Sequence, residues 1–260
     1  MKCKVCGEEA EIKFTAKILY KYDVEYFFCR NCKYLFAGNP FWLEESYRRP
    51  INLSDTGLLS RNQYFACLVT VIIYFFFNKK GKFLDYAGGY GVFTRLMRDN
   101  GFDFYWNDPF STNLLAAGFE YDIKSGDKIE LLTAFELFEH FTDPSETNKL
   151  LAISRNIIFS TQLLPEPIPE PDKWWYYGFE HGQHISFYSK ETLQFIARKN
   201  NLNFYSALGL HFFTEKRINR IKLYLLLMFA VLGLNRLVRI SMGSKTEKDN
   251  VLMSRRENPN

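Results

Sequence analysis

Lys82-Phe83-Leu84-Asp85-Tyr86-Ala87-Gly88-Gly89-Tyr90-Gly91-Val92 is the stretch on which the reading of this chain turns. Its first four residues read as a short strand. A glycine-rich turn follows, and Val92–Asn100, apolar at 92, 93, 96 and 97, reads as a helix closed by Gly101. A glycine turn between a strand and a helix is a device for holding anions or cofactors. Without side chains the backbone comes close to a ligand, and the helix N-terminus offers free N–H groups. No Gly-Lys-Ser/Thr follows, which excludes a Walker loop, and the match to the dinucleotide G-x-G-x-x-G pattern is poor. Asp85 at the strand end can meet a cationic group. Asp108, 23 residues on, ends the next expected strand, Phe102–Asn107, where ribose hydroxyls are held in other nucleotide-binding sheets.

Outward from this unit, strands and helices alternate. Phe119–Ile123, Ile129–Ala134 and Asn156–Ser160 read as further strands. Asp143-Pro144-Ser145-Glu146 opens a helix, with an Asp cap, Pro in the first turn and Glu three residues after the cap. Ser189 caps another helix from Lys190 to about Asn200, and Asn203–Ala207 with Leu210–Thr214 read as a terminal antiparallel pair. Upstream, the 14-residue apolar run Tyr64–Phe77 reads as a helix buried against a sheet and too short to span a membrane. The pattern predicts an α/β fold with a Rossmann-like, doubly wound, mostly parallel sheet covered on both faces.

Four of the five cysteines fall as Cys3-x2-Cys6 and Cys29-x2-Cys32, separated by 22 residues. A two-residue spacer lets both thiolates of a pair face one metal, and two pairs complete a tetrahedron, so the spacing predicts a structural zinc. Lys2, Lys4, Arg30 and Lys33 flank the thiolates and offset their charge. Glu11–Tyr20 and Tyr22–Phe28, between the pairs, read as two short strands of a zinc ribbon over residues 1–38. Residues 39–61, with Pro40, Pro50 and the polar Asn52-Leu53-Ser54-Asp55, read as a connector. Cys67 sits in an apolar run and reads as a buried thiol.

The net charge of +4 is unevenly spread: residues 216–239 carry +6 with no acid, 241–260 carry +1, and the first 215 residues sum to −3. A mildly acidic body disfavours nucleic acid as a partner, because a duplex binder shows a basic stripe across its fold. Residues 215–242 form a basic segment with the apolar stretch Leu223–Leu234 inside it. Two readings stay open: contact of 216–240 with an anionic membrane surface, or packing on protein. The polar tail 243–260 reads as flexible. No uninterrupted apolar run reaches membrane-spanning length, and no apolar signal region follows Met1-Lys2-Cys3-Lys4. The expectation is a cytoplasmic protein, at the inner membrane face if 216–240 binds lipid.

Here the sequence resembles the class I S-adenosylmethionine-dependent methyltransferases. The likeness rests on Leu84–Gly91, Asn107-Asp108-Pro109, Thr133-Ala134-Phe135-Glu136-Leu137-Phe138-Glu139-His140 and Gly182-Gln183-His184-Ile185-Ser186-Phe187-Tyr188, within a domain at 62–214. A two-knuckle zinc module before such a domain is similar to bacterial methyltransferases that act on nucleotide-linked sugars. The resemblance implies a seven-stranded sheet. It places Asp85, Ala87, Gly88, Gly89 and Gly91 at the methionine end of S-adenosylmethionine, Asp108 on its ribose and Asp122 near its adenine. Ala87 stands where the family has its first glycine.

Methyl transfer to a hydroxyl or carbon nucleophile needs a base as well as alignment. No Asn/Asp-Pro-Pro-Tyr/Phe stretch follows the fourth strand, which argues against amide or adenine N-methylation. His140 is the candidate base, with Glu139 as its orienter or alternative. The aperiodic loop from Thr161 to about Phe187 is of the irregular kind that carries function. In it Trp174, Trp175 and Tyr177 can stack on a sugar, and His181 and His184 can contact substrate. An H-x2-H pair can also bind metal, but no acidic or cysteine partner lies near it in sequence. His211, in an apolar context, reads as structural. The leading reading is methylation of a carbon or oxygen of a nucleotide-activated sugar in bacterial glycan assembly. The alternatives are an RNA methyltransferase docked by its zinc ribbon and a non-catalytic zinc-stapled scaffold.

Overall fold

Alternation of β-branched and aromatic residues with polar ones between the cysteine pairs, and short apolar runs beyond residue 81, set out ten strands. The computed structural model describes residues 1–48 and 55–257. In chain order the strands are β1 (Glu11–Ile18), β2 (Tyr22–Phe28), β3 (Leu35–Ala37), β4 (Lys82–Tyr86), β5 (Asp103–Asn107), β6 (Ile129–Phe135), β7 (Ile157–Ser160), β8 (Ser186–Phe187), β9 (Asn203–Ala207) and β10 (Leu210–Thr214). The α-helices are α1 (Leu43–Ser46), α2 (Leu58–Phe76), α3 (Val92–Asp99), α4 (Thr147–Ile153), α5 (Lys190–Lys199), α6 (Arg220–Phe229), α7 (Asn235–Met242) and α8 (Thr246–Glu257).

Two sheets result, with strand orders β1-β2-β3-β8 and β5-β4-β6-β7-β10-β9. In the second, β4 runs parallel to β5 and β6, while β10 is antiparallel to β7 and β9. This sheet is mixed and has six strands among the described residues, where the resemblance implied seven. The shortfall lies at Phe119–Ile123. There the parallel pairing shrinks to one bridge, with Trp106 N–H donating to Phe119 C=O (2.8 Å) and Tyr121 N–H to Trp106 C=O (2.7 Å). Gly118 at φ +87 turns the chain in. Asp122 turns it out by capping a 3-10 turn, Ile123–Ser125, so no room remains for a longer ladder.

The chain divides into two compact units, Met1–Asn52 with Phe135–Glu215, and Leu53–Ala134 with Lys216–Asn260. The first unit joins the N-terminal segment to a later one. β3 pairs antiparallel with β8 (Leu35 opposite Phe187), Tyr34 Oη meets Ser186 Oγ at 2.6 Å, and Trp42 Nε1 donates to Gly182 C=O at 2.8 Å. The N-terminal ribbon therefore shares one core, including Tyr26, Leu35, Trp42, Tyr176, Tyr177 and Phe187, with the later segment. Trp42 and α1 fall in the expected connector, whose Pro50 and Asn52-Leu53-Ser54 lie outside the described residues. Both expected caps are present as capping boxes, Asp143 on the 3-10 turn Pro144–Glu146 before α4 and Ser189 on α5.

In the second unit α2 buries Phe65, Ala66 and Leu68–Ile73, as the apolar run predicts. The tail expected to be flexible is helical over Thr246–Glu257, and its Asp249, 5 % exposed, is anchored by Arg98 at 2.8 and 2.7 Å and Arg95 at 2.9 Å. Residues 220–242 form α6, a π-turn (Ala230–Leu234) kinked at Gly233, and α7. Leu223, Leu227, Ala230 and Val238 are buried, so one stripe of this segment packs on protein. By length and composition, Leu58–Phe76 and Arg220–Met242 are long and apolar enough to cross a membrane. Scanning for apolar runs misses both, because Ser60-Arg61-Asn62-Gln63 interrupts the first, which then reads as a 14-residue run too short to span, and charged residues punctuate the second.

Candidate active site

β4 ends at Tyr86 and α3 begins at Val92, so the glycine turn spans 87–91 in the second unit. Gly91 caps α3 at φ +82, and a Cβ there would lie 2.6 Å from Asn113 Oδ1. A Cβ on Gly88 would lie 2.7 Å from Asp85 Oδ2 and 2.8 Å from Trp106 Cδ1. These two positions need glycine for space, and Gly91 also needs it for conformation. Ala87 sits at φ +55, so a residue with a Cβ holds a left-handed conformation in this turn.

Asp85 is 2 % exposed; its oxygens accept hydrogen bonds from Thr133 Oγ1 (2.9 Å) and Thr94 Oγ1 (3.1 Å). Burial pushes its carboxyl up to about 7 against the pull of those hydroxyls, and nearby Asp108 adds to the rise. Asp85 thus braces the turn from beneath. Asp108 Oδ2 accepts from Gly89 N–H (2.9 Å), and Oδ1 accepts from Phe110 N–H (2.8 Å) and Ser111 N–H (3.1 Å). A carboxylate offers about four acceptor sites, so one stays available to a ribose hydroxyl. Asp122 is exposed and accepts from Lys124 N–H at 2.8 Å.

In the first unit a 3-10 turn at Phe138–His140 follows β6 directly and carries the expected base. Ile185 N–H donates to Glu139 C=O (2.9 Å), which brings the segment holding His181 and His184 alongside. Ligand atoms of Glu139, His140 and His184 lie within 4.8 Å of one another. Of the H-x2-H pair only His184 joins this cluster, with Glu139 as the acidic partner that sequence spacing did not show; His181 is not in it. Glu139 is fully buried, and neither carboxyl oxygen has a hydrogen-bond partner. Burial pushes its carboxyl up to about 8, with Glu136 adding to the rise. Burial pushes His140 down to about 4 and His184 far below the usual range, so both rings are neutral near pH 7. His140 Nδ1 lies 3.1 Å from Gln183 C=O and 2.9 Å from Tyr47 Oη; His184 Nδ1 lies 2.7 Å from Tyr176 C=O. A carbonyl only accepts, so both Nδ1 atoms carry the proton and both Nε2 atoms keep a lone pair. His181 has the opposite tautomer, because its Nδ1 accepts from Gln183 N–H at 3.1 Å.

Gln183 and Tyr47 were not foreseen. Gln183 lies between the two histidines, where its neighbours could have pointed to it; Tyr47 carries no sequence signal and meets His140 across 93 positions of chain. Glu136, in the same run as Glu139 and His140, sits at φ +48 and accepts from Ser160 Oγ at 2.5 Å. Tyr176, in the aromatic run, contacts His184 through its ring and its carbonyl.

The aromatic loop divides by burial. Tyr177 is 1 % exposed, stacks on Phe179 at 4.9 Å and donates its hydroxyl to Pro169 C=O, so it belongs to the core instead of a substrate face. Trp174 packs on Tyr177 and Phe187 in the same core. Trp175 is 76 % exposed and edges onto Tyr176, which in turn contacts His184. His211 is 3 % exposed between Ser206 Oγ (2.9 Å) and Thr161 C=O (3.0 Å), a structural residue as expected.

The four cysteine sulfurs of the ribbon also gather within 4.8 Å, with Cys3–Cys32 and Cys6–Cys29 each at 3.5 Å. Sulfurs on a tetrahedral zinc lie about 3.8 Å apart, given Zn–S near 2.3 Å. All four are free thiols, and three of them are buried. Donor type and spacing fit one closed metal site.

A family profile described as a methyltransferase domain matches residues 60–207, more than half of the chain. The chain belongs to that family and carries a methyltransferase domain. No curated protein matches it. Solved structures similar to it include a magnesium protoporphyrin IX methyltransferase from Synechocystis PCC 6803 with bound S-adenosylmethionine, at 14 % identity and TM-score 0.41, over 67 % of this chain and 92 % of that one. An O-methyltransferase family protein from Burkholderia thailandensis is 13 % identical with TM-score 0.44, over 73 % and 66 %. An O-methyltransferase family 2 protein from Planctomyces limnophilus DSM 3776, in complex with apigenin, is 10 % identical with TM-score 0.41, over 65 % and 64 %.

Proposed function

We propose that the chain transfers a methyl group to an oxygen or carbon of a sugar, nucleotide-activated, in bacterial polysaccharide or glycan assembly on the cytoplasmic side. The observation that carries the reading is the strand–glycine turn–helix of 82–99 inside the methyltransferase domain, with Asp108 bonded to Gly89 N–H. When bound there, S-adenosylmethionine supplies an electrophilic methyl group on a sulfonium. Gly88 and Gly91 keep the turn narrow, and Asp108 has acceptor capacity left for the ribose. His140, neutral and fixed through Nδ1 by Gln183, takes the acceptor proton on Nε2. S-adenosylmethionine held by the 87–91 turn and Asp108 would supply the methyl group to the deprotonated acceptor. Exposed Trp175 offers a face for a sugar ring. The sugar reading is supported by the placement of a four-cysteine module before the methyltransferase domain, and we assign that module a structural zinc.

Calorimetric titration of S-adenosylmethionine and S-adenosylhomocysteine tests the cofactor half. Micromolar binding is expected, at least tenfold weaker in Asp108→Ala. Turnover with a panel of nucleotide sugars, read by mass spectrometry, tests the rest, with His140→Ala expected to lose the product and keep cofactor binding. Failure to bind either cofactor form refutes the cofactor half. Methylation of RNA with no sugar product refutes the substrate.

A further inference from the structure

We propose that Glu139, His140 and His184 hold a divalent transition-metal ion, a second metal site distinct from the four cysteines. Three observations carry it. The ligand atoms lie within 4.8 Å of one another, and three donors placed 2.0–2.2 Å from a metal stand about 3–4 Å apart, so a small inward movement closes the site. Glu139 is fully buried with both oxygens unpartnered, and a cation supplies what this carboxylate lacks. Both histidines present the metal-binding tautomer, each giving Nδ1–H to a backbone carbonyl, Gln183 at 3.1 Å and Tyr176 at 2.7 Å. That outer hydrogen bond is what a metal-ligating imidazole ordinarily makes. His181, next to His184 at a ring distance of 4.8 Å, has the other tautomer and is no ligand.

Three protein ligands leave positions open, as in catalytic sites, whereas the four cysteines close theirs. The inference rests on the methyl-transfer reading for its use: an ion here lowers the pKa of an acceptor hydroxyl, and the proton leaves to solvent water. In that case His140 ligates the ion and the base role passes from it. Binding itself does not depend on that reading.

The test is metal content and cobalt spectroscopy of the full chain. Titration with Co2+ is expected to give two equivalents: one with intense thiolate charge-transfer bands in the near ultraviolet, one with only weak visible bands. His184→Ala and Glu139→Gln should each lose the second set and keep the first, the retained thiolate bands showing that the chain is folded. One equivalent in the wild type, or a second that survives both substitutions, overturns the site. A second equivalent without S-adenosylmethionine binding upholds the metal site and refutes the methyl-transfer reading alone.

The second unit carries an independent inference: we propose that α6–α7 lies on an anionic lipid bilayer. Leu223, Leu227, Ala230 and Val238 face inward, yet the outer face is also apolar, with Ile221, Leu232, Leu237 and Ile240 between 64 % and 78 % exposed. No acid occurs from 216 to 246, a segment that carries Lys216, Arg217, Arg220, Lys222, Arg236 and Arg239, of which Lys216 pairs with Glu130 at 3.4 Å. An apolar surface on a segment whose own charges are all cationic complements acyl chains under anionic headgroups. An open groove of about 550 Å³, lined by Phe75, Leu225 and Phe229 with Lys222 among its residues, runs along α6. Sedimentation with phosphatidylglycerol-containing vesicles should pellet the protein, weakly so with pure phosphatidylcholine, and Leu232→Ser with Ile240→Ser should leave it in the supernatant. No pelleting, or a concentration-dependent dimer that the same pair of substitutions dissolves, overturns the bilayer as occupant.

Discussion

Asp249→Asn should unfold the protein at a markedly lower temperature, although the residue lies near the end of the chain. Arg98 and Asp249 side chains are 5 % and 7 % exposed and share two hydrogen bonds, at 2.8 and 2.7 Å. Asparagine keeps the shape and removes the charge. It leaves the Arg98 guanidinium, which stacks 3.6 Å over the Phe119 ring, with a neutral amide oxygen in place of the carboxylate, beside Asp103 at 3.1 Å and Phe104 C=O at 2.8 Å. Removing one partner of a buried ion pair costs about 3–5 kcal/mol. For a chain of this size that is a fall in Tm of about 10 °C. Thermal denaturation by circular dichroism measures it. Arg98→Met with Asp249→Leu should recover part of the loss, because no orphaned charge remains. Saturating S-adenosylmethionine should raise Tm of wild type and variant alike, since Asp249 bonds to α3 through Arg95 and Arg98 and not to the glycine turn. A fall within about 1 kcal/mol, the range of an exposed pair, would refute the argument that α8 is anchored.

Gly91→Ala should weaken cofactor binding tenfold or more with little change in circular dichroism, because its Cβ would stand 2.6 Å from Asn113 Oδ1 at φ +82; unchanged calorimetry would contradict this. His211 is held neutral, with a pKa lowered by burial from 6.5 to about 4. The unfolded chain binds a proton there that the folded chain does not, so stability is full above pH 6.5 and falls as pH drops toward 4, by up to about 3 kcal/mol. The fall of the denaturant midpoint across that window should be smaller in His211→Gln but not abolished, because burial lowers His140 and His184 in the same direction; an unchanged slope would show that His211 does not contribute. Ser189→Ala removes the capping box of α5 and should cost about 1 kcal/mol, seen as a lower urea midpoint at constant m.

What was legible in the sequence was local. The glycine turn, both capping boxes and the β9–β10 hairpin depend on neighbouring residues and fold as read. The third strand did not, because its length depends on how Gly118 and Asp122 turn the chain at either end. β8 is two residues long and exists only because β3 is there to pair with it. Tyr177 and Trp175 stand two apart in one aromatic run, and nothing in the run says which is core. Burial by distant residues decides that, as it decides that Asp85 lies beneath the turn. Asp249 looked like part of a polar tail because its partner, Arg98, lies 151 residues away.

Ala87 offers a sharper separation of structure from binding. At φ +55 its Cβ costs about 1–2 kcal/mol relative to glycine, while glycine adds about 0.4–1 kcal/mol of disorder to the unfolded chain. Ala87→Gly should therefore raise stability by about 0–1.6 kcal/mol, a small gain in Tm. Its effect on affinity depends on whether the turn is already formed without ligand. Ala87 N–H donates to Asn107 C=O (2.8 Å), Gly89 N–H to Asp108 and Gly91 N–H to Gly88 C=O (3.0 Å), so the turn is held by the protein's own bonds. Strain present equally in free and bound states cancels from the dissociation constant. Calorimetry should then show S-adenosylmethionine affinity unchanged within about twofold, or 0.4 kcal/mol. A tenfold gain would mean that the Ala87 methyl meets the ligand or that the turn re-forms on binding, and would refute a preformed cradle.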